Sequence, residues 1–199
     1  MTTNPNITAL VQKYVLQLLW KQLPATLYFH NIGHTQNVVQ AAIEIASKSG
    51  FDTTQTEIVT LAAWFHDCGY TRTYDQHEEA SKTIAQAFLQ NHQYPAHQIA
   101  EVLRCIDATK FPQNPKSPES QVLADADLYH LSLPDYPTYA QKLRTEWALL
   151  GKHFSDTEWT KTNLNLLKCH SYFTTYGKNV LQKHKEQNIN LLEKTLQTL

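Results

Sequence analysis

From Ile7 almost to the last residue, apolar side chains return every three or four positions, and no run alternates apolar with polar as a half-buried strand would. That periodicity restricts the chain to helices packed on helices. Residues 7–22 read as a first helix around Leu10, Tyr14 and Leu18, and residues 32–48 as a second with Val38, Ala41, Ala42 and Ile45 on one face. Thr54 and Glu57 have capping-box spacing ahead of Ile58, Leu61, Ala62 and Phe65, and Gly69 is the expected stop of that helix. Asp75 is the expected cap of the next, which carries Ala80, Ile84, Ala87 and Phe88; residues 96–109 follow with Ile99, Val102, Leu103 and Ile106. The segment FPQNPKSPES, residues 111–120, holds three prolines and reads as a loop. A short helix around 120–131, another over 138–150, one from the Ser155/Glu158 capping box to about Phe173, and a last over 178–198 complete the pattern. The expectation is an all-α fold, a single helical bundle of about eight or nine helices spanning 1–199.

Composition excludes several classes. Hydrophobic residues make up 42% and charged residues 18%, which places the chain among globular proteins. A formal net charge of −1 gives no electrostatic reason to expect a nucleic-acid or anionic-membrane partner. The three cysteines, Cys68, Cys105 and Cys169, form no CxxC pair and are odd in number, so free thiols in a reducing cytosol are expected. The start, MTTNPNITALVQKY, has no basic segment followed by an apolar run, and no membrane-length apolar stretch occurs. A cytoplasmic location is the expectation, with homo-oligomerisation left open.

Histidine is the unusual count, at ten, and four of these (His30, His34, His66, His77) lie within one third of the chain beside acidic residues. His34 sits four residues before Val38 and seven before Ala41, which turns it toward the core. The adjacent pair His66-Asp67 ends a strongly apolar run, where neighbours at a fraying helix end can both reach one ion. Asp127, in LADADLYHL, lies four residues after Leu123 and points inward on the same reasoning. Two imidazoles and two carboxylates suit a divalent metal such as Mn, Fe, Co, Ni or Mg, with positions left for water and a phosphoryl oxygen. Without thiolates the set does not read as structural zinc. Each residue also has a plainer role: His34 as a cap, Asp67 as a late-helix acid, Asp125 and Asp127 as a solvated acidic patch.

Taken together, His34, His66-Asp67 and Asp127 resemble the H…HD…D signature of the HD-domain superfamily in order and spacing. The stretch YFHNIGHTQNVVQ resembles the YHNxxHxxxV motif of that superfamily's cyclic-nucleotide phosphodiesterases. ATK, the proline-rich loop and LADADL, with Tyr139, Arg144-Thr145-Glu146-Trp147 and Asn188, resemble a bacterial subgroup described as metal-dependent phosphohydrolases. The superfamily resemblance covers about residues 28–131, the metal-site core, with helices 135–199 expected to pack on it. It implies an HD-type helical fold, the four residues as metal ligands, and hydrolysis of a phosphoester in a small phosphorylated substrate, with a nucleotide as the expected class, by a metal-activated water.

The same resemblance implies a role for His30 as the general acid that protonates the leaving oxygen, a task suited to imidazole. Glu78 could orient or deprotonate a water at the metal, or simply pair with Asp75 in a capping box. Lys110 and Arg72 are candidate contacts to a phosphate oxygen, although a lysine in a helix's last turn is also ordinary dipole compensation. Arg144 and Glu146 read as partners to other helices, and Trp64, Trp147 and Trp159 as core. Two other functions fit the superfamily. A di-iron oxygenase would need further histidines between the HD pair and the last aspartate, for which His77, His92 and His97 are available. A nucleotide-binding module without catalysis would not need the ligand set that is present.

Overall fold

The structure is a computed structural model describing residues 6–199. Among these residues every regular element is helical: α1 (Ile7–Gln22), α2 (Ile32–Lys48), α3 (Thr53–Phe65), α4 (His77–Asn91), α5 (Ala96–Asp107), α6 (Pro118–Asp127), α7 (Tyr136–Leu149), α8 (Asp156–Cys169) and α9 (Gln182–Thr198). Short 3₁₀ turns at Cys68–Thr71 and Tyr129–Ser132 follow α3 and α6, and a π-type turn at Gly177–Leu181 leads into α9. No described helix is long and apolar enough to cross a membrane.

Helix α3 is the centre. Every residue from Ile58 to Phe65 is buried, so the helix has no water-facing side and must be enclosed. Helices α1, α2, α4, α5 and α6 enclose it. Their apolar stripes supply the main core: Val11 and Val15 from α1, Val38, Ala42 and Ile45 from α2, Leu89 from α4, Val102 and Ile106 from α5, Val122 and Leu123 from α6. A second, smaller cluster gathers Leu131, Tyr136, Ala140, Trp159 and Leu167.

Several boundaries differ from the sequence expectation. The capping box of α3 is Asp52 with Gln55, not Thr54 with Glu57. Glu57 instead accepts the Tyr94 hydroxyl at 2.8 Å, tying α3 to the chain beyond α4. Helix α3 ends at Phe65, short of Gly69, because that glycine serves a close crossing and not a cap. A Cβ at Gly69 would lie 1.8 Å from the His77 carbonyl oxygen, and the Gly69 N–H donates to Ser81 Oγ at 2.7 Å. Gln76, at φ 57°, precedes α4 without a side-chain cap, so the Asp75/Glu78 box does not form and Glu78 is free for other contacts. The third proline of the 111–120 segment opens α6 behind a Ser117/Ser120 capping box instead of belonging to the loop. The Ser155/Glu158 box is present as expected.

Two polar anchors join the last third of the chain to the rest. The buried Asp125 carboxylate accepts the backbone N–H groups of Phe173 (2.8 Å) and Thr174 (2.9 Å) and the Thr174 hydroxyl (2.6 Å). Asn188 of α9 donates to the carbonyls of Leu131 (2.9 Å) and Leu133 (2.8 Å).

Candidate metal centre

The ends of three helices meet at one point. Asn31 caps α2, accepting the His34 N–H at 3.1 Å, and fixes where the first turn presents the His34 imidazole. His66 terminates α3 in helical geometry, and Asp67 then leaves it at φ −104°, ψ 5°. That break lets two successive side chains turn to the same side. Asp127 is the last residue of α6.

One ligand atom each from His34, His66 and Asp127 lies within 4.8 Å of the others. Asp67 Oδ2 is 3.4 Å from His34 Nε2 and 3.2 Å from His66 Nε2. Asp127 Oδ1 is 3.3 Å from His34 Nε2 and 3.6 Å from His66 Nε2. His66 Nδ1–H donates to the Ala63 carbonyl at 2.7 Å, which leaves a lone pair on Nε2 facing the cluster. His34 Nε2, His66 Nε2 and Asp67 Oδ2 are all buried without a hydrogen-bond partner. A single buried unpartnered polar atom costs on the order of 1–3 kcal/mol, so three converging on one point require a common partner. A divalent cation satisfies all three at once, and the nitrogen/oxygen donor set fits one. Without an ion, burial opposes charge on His66, yet the Asp67 and Asp127 carboxylates outweigh it and hold His66 well above the ordinary histidine range, so a cation at this point would take the place of the Nε2 proton. Burial likewise opposes ionisation of Asp67 and Asp127, and the facing imidazoles hold both below the usual carboxylate range.

The remaining candidates fall into two groups. His30 adjoins the cluster, with its ring centre 5.9 Å from that of His34. Its Nδ1 is 2.5 Å from Glu146 Oε1. Glu146 Oε2 also accepts the backbone N–H groups of Phe29 (2.9 Å) and His30 (3.1 Å). Tyr74 donates its hydroxyl to Glu146 Oε1 at 3.1 Å and accepts the Trp147 indole N–H at 3.1 Å. Burial pushes Glu146 up, but His30 and these backbone donors bring it below the usual range. Glu78 lies beside the cluster through His77: His77 Nε2 is 3.5 Å from Asp67 Oδ1 and 3.7 Å from Glu78 Oε1. Lys110 and Arg72 are not brought to this point. The Lys110 ammonium is held by Glu79 and, at 2.7 Å, by Asp107, and Arg72 is exposed at the end of its 3₁₀ turn.

Sequence reasoning missed four residues here. Glu146 stood only as a partner for some other helix, since no spacing rule connects it with a residue 116 positions earlier. Nothing in the spacing around Tyr74 signals a role. Tyr70 stacks on His77 with ring centres 3.9 Å apart and packs 4.5 Å from His30. His130 is packed between Phe29 and Tyr136 with Nδ1 3.2 Å from the Asp127 carbonyl, and burial pulls it down to about 3. Its one sequence signal was a histidine three residues after Asp127 in an apolar run. Of the histidines a di-iron site would recruit, only His77 reaches the cluster; His92 and His97 are exposed.

The HD domain family matches residues 31–132, just over half of the chain. No curated protein matches. Three crystal structures share the fold along nearly the whole length. A predicted HD superfamily hydrolase from an uncultured Thermotogales bacterium is 19% identical with a TM-score of 0.64, over 97% of this chain and 98% of its own. The Lin1889 protein of Listeria innocua is 18% identical with a TM-score of 0.66, over 100% and 99%. A protein of Lactobacillus plantarum is 16% identical with a TM-score of 0.68, over 100% and 95%. The matched segment runs from the Asn31 cap through Asp127 and so contains all four residues of the cluster: the chain belongs to the HD domain family.

Proposed function

We propose that the chain is a metal-dependent phosphohydrolase acting on a small phosphorylated molecule, with a nucleotide as the expected class. The observation that carries this reading is the convergence of three buried, unpartnered ligand atoms and the Asp127 carboxylate on one point. His34, His66, Asp67 and Asp127 would hold a divalent ion. When bound, such an ion lowers the pKa of water at its open positions and draws charge from a phosphoryl oxygen.

The other residues supply proton handling and position. Glu146 engages Nδ1 of His30, which leaves Nε2 as the atom that delivers a proton to a leaving oxygen. By accepting the Phe29 and His30 backbone N–H groups as well, Glu146 fixes the loop and the ring together. Glu78 would orient or take a proton from attacking water; His77 lies between it and Asp67. The Thermotogales relative, named a predicted hydrolase, supports the reaction class.

Metal content and turnover test this directly. Purified chain is expected to carry one divalent ion and to release phosphate or a phosphomonoester from some member of a nucleotide panel with manganese, cobalt, nickel, iron or magnesium. Asp67→Ala should lose the ion while keeping its helical circular dichroism. Two irons per chain would favour the oxygenase, and a wild-type chain that binds no metal would leave a binding module as the surviving reading.

A further inference from the structure

Among the described residues, no lysine or arginine pairs with the metal centre. Lys110 is held elsewhere by Glu79 and Asp107, and the ion pairs of Asp67, Glu78, Asp127 and Glu146 are all with histidines. A phosphoryl group presents more oxygens than a single ion covers, and charge builds on all of them in the transition state. With no fixed cation at hand, an oxygen left to the protein needs an uncharged donor.

The available donors reduce to one. The Tyr74 hydroxyl is committed to Glu146 at 3.1 Å, and His30 serves the leaving oxygen on the reading above. Tyr70 lies in the 3₁₀ turn directly after the HD pair, and its backbone N–H donates to the Asp67 carbonyl at 3.1 Å. Its ring is clamped between two rings of the centre, stacked on His77 at 3.9 Å and packed on His30 at 4.5 Å. That clamp fixes the side chain without using its hydroxyl. The hydroxyl makes no hydrogen bond with any described residue, yet it is not sealed from solvent as His34 Nε2 and His66 Nε2 are. Tyr70 is 6% exposed, so a residue otherwise buried shows this oxygen to water. Burial, and then the neighbouring Asp67, Tyr74, Glu146 and Asp127, raise its pKa above the ordinary tyrosine value, so the group stays an O–H donor.

We propose that Tyr70 is a further catalytic residue: its O–H donates a hydrogen bond to a phosphoryl oxygen of the substrate other than the leaving one, and that bond strengthens as charge builds there. The hydroxyl keeps its proton throughout, and no bond to the tyrosine oxygen forms or breaks. This assignment rests on the phosphohydrolase reading and adds to it the group that holds the transferred phosphoryl.

Tyr70→Phe keeps the ring between His77 and His30 and removes only the oxygen. The variant is expected to melt as wild type does and to hold the same amount of metal. In calorimetric titration with inorganic phosphate, the metal-loaded variant should bind about tenfold more weakly than metal-loaded wild type. Turnover should fall roughly 10²-fold, equally on p-nitrophenyl phosphate and on esters with poor leaving groups, because the oxygen concerned does not leave. Unchanged phosphate affinity in the variant would overturn the proposal. So would a loss of turnover confined to poor leaving groups, which would make Tyr70 a support for His30, or a loss of metal, which would make it structural. A wild-type chain that holds its ion but binds no phosphate overturns it as well. A wild-type chain that takes up no metal overturns the phosphohydrolase reading itself, and the role of Tyr70 with it.

Discussion

At the scale of single residues, the informative contrast is between the four candidate ligands and Glu146. His34, His66, Asp67 and Asp127 were legible because each is a chemically distinctive residue with helical phase relative to its own neighbours. Glu146 was not, because its meaning depends on a fold that brings α7 against the loop before α2. The pair makes a sharp prediction. Glu146→Gln keeps the shape but removes the charge that holds His30, and should lower turnover about 10²-fold on esters with poor leaving groups. His30→Ala should cost roughly 10²–10⁴ on the same substrates. Both variants should retain the metal and lose much less on p-nitrophenyl phosphate, whose leaving oxyanion needs little protonation. Equal losses on both substrates in steady-state assays would assign His30 and Glu146 a structural role.

Among the elements, existence and order of the helices were legible from apolar spacing, and the caps less so. Asp52/Gln55 and Thr54/Glu57 both satisfy the capping-box spacing; only the Tyr94 hydroxyl, which claims Glu57, shows which of the two is available to cap. Gly69 could be read as a helix stop because a stop is the commonest local reason for glycine after an apolar run, whereas the true reason is a neighbour eight residues on. Gly69→Ala forces the 3₁₀ turn and the start of α4 apart, and should destabilise by about 1–3 kcal/mol or more by overpacking. Since Asp67 and His77 flank that crossing, the variant should also bind metal more weakly than wild type. Denaturant unfolding and metal titration of the same preparation check both effects, and an unchanged midpoint would show that the crossing is not tight.

The whole molecule carries a buried cation in its C-terminal part that no periodicity could flag. Lys185 is fully buried on α9, donates to the His170 carbonyl at 2.5 Å, and lies 5.4 Å from the centre of the Tyr172 ring. Burial pulls it down to about 8. The sign of the pH effect follows. Between about pH 8 and 10.5 the unfolded chain still holds this proton while the folded chain has released it, so the unfolded state binds more protons and stability rises with pH. The gain from this group is up to about 3 kcal/mol, complete above the unfolded lysine value and absent below about pH 8. Urea unfolding of wild type and Lys185→Met at pH 7.5 and 10 measures it: the difference between the two proteins should change in favour of wild type as pH rises, and parallel behaviour would refute it.

The separation of His30 from the carboxylate that holds it has a consequence for the order in which a newly made chain becomes competent. Synthesis reaches Asp127, the last candidate ligand, before α7 exists. A nascent chain whose first six helices have packed would therefore carry all four candidate ligands while Glu146 is still untranslated. Until α7 docks, the loop carrying His30 lacks the acceptor for its two backbone N–H groups and for its imidazole. On the proposed function, ion capture and proton delivery would thus mature at different times, with the ion held before the acid is in place.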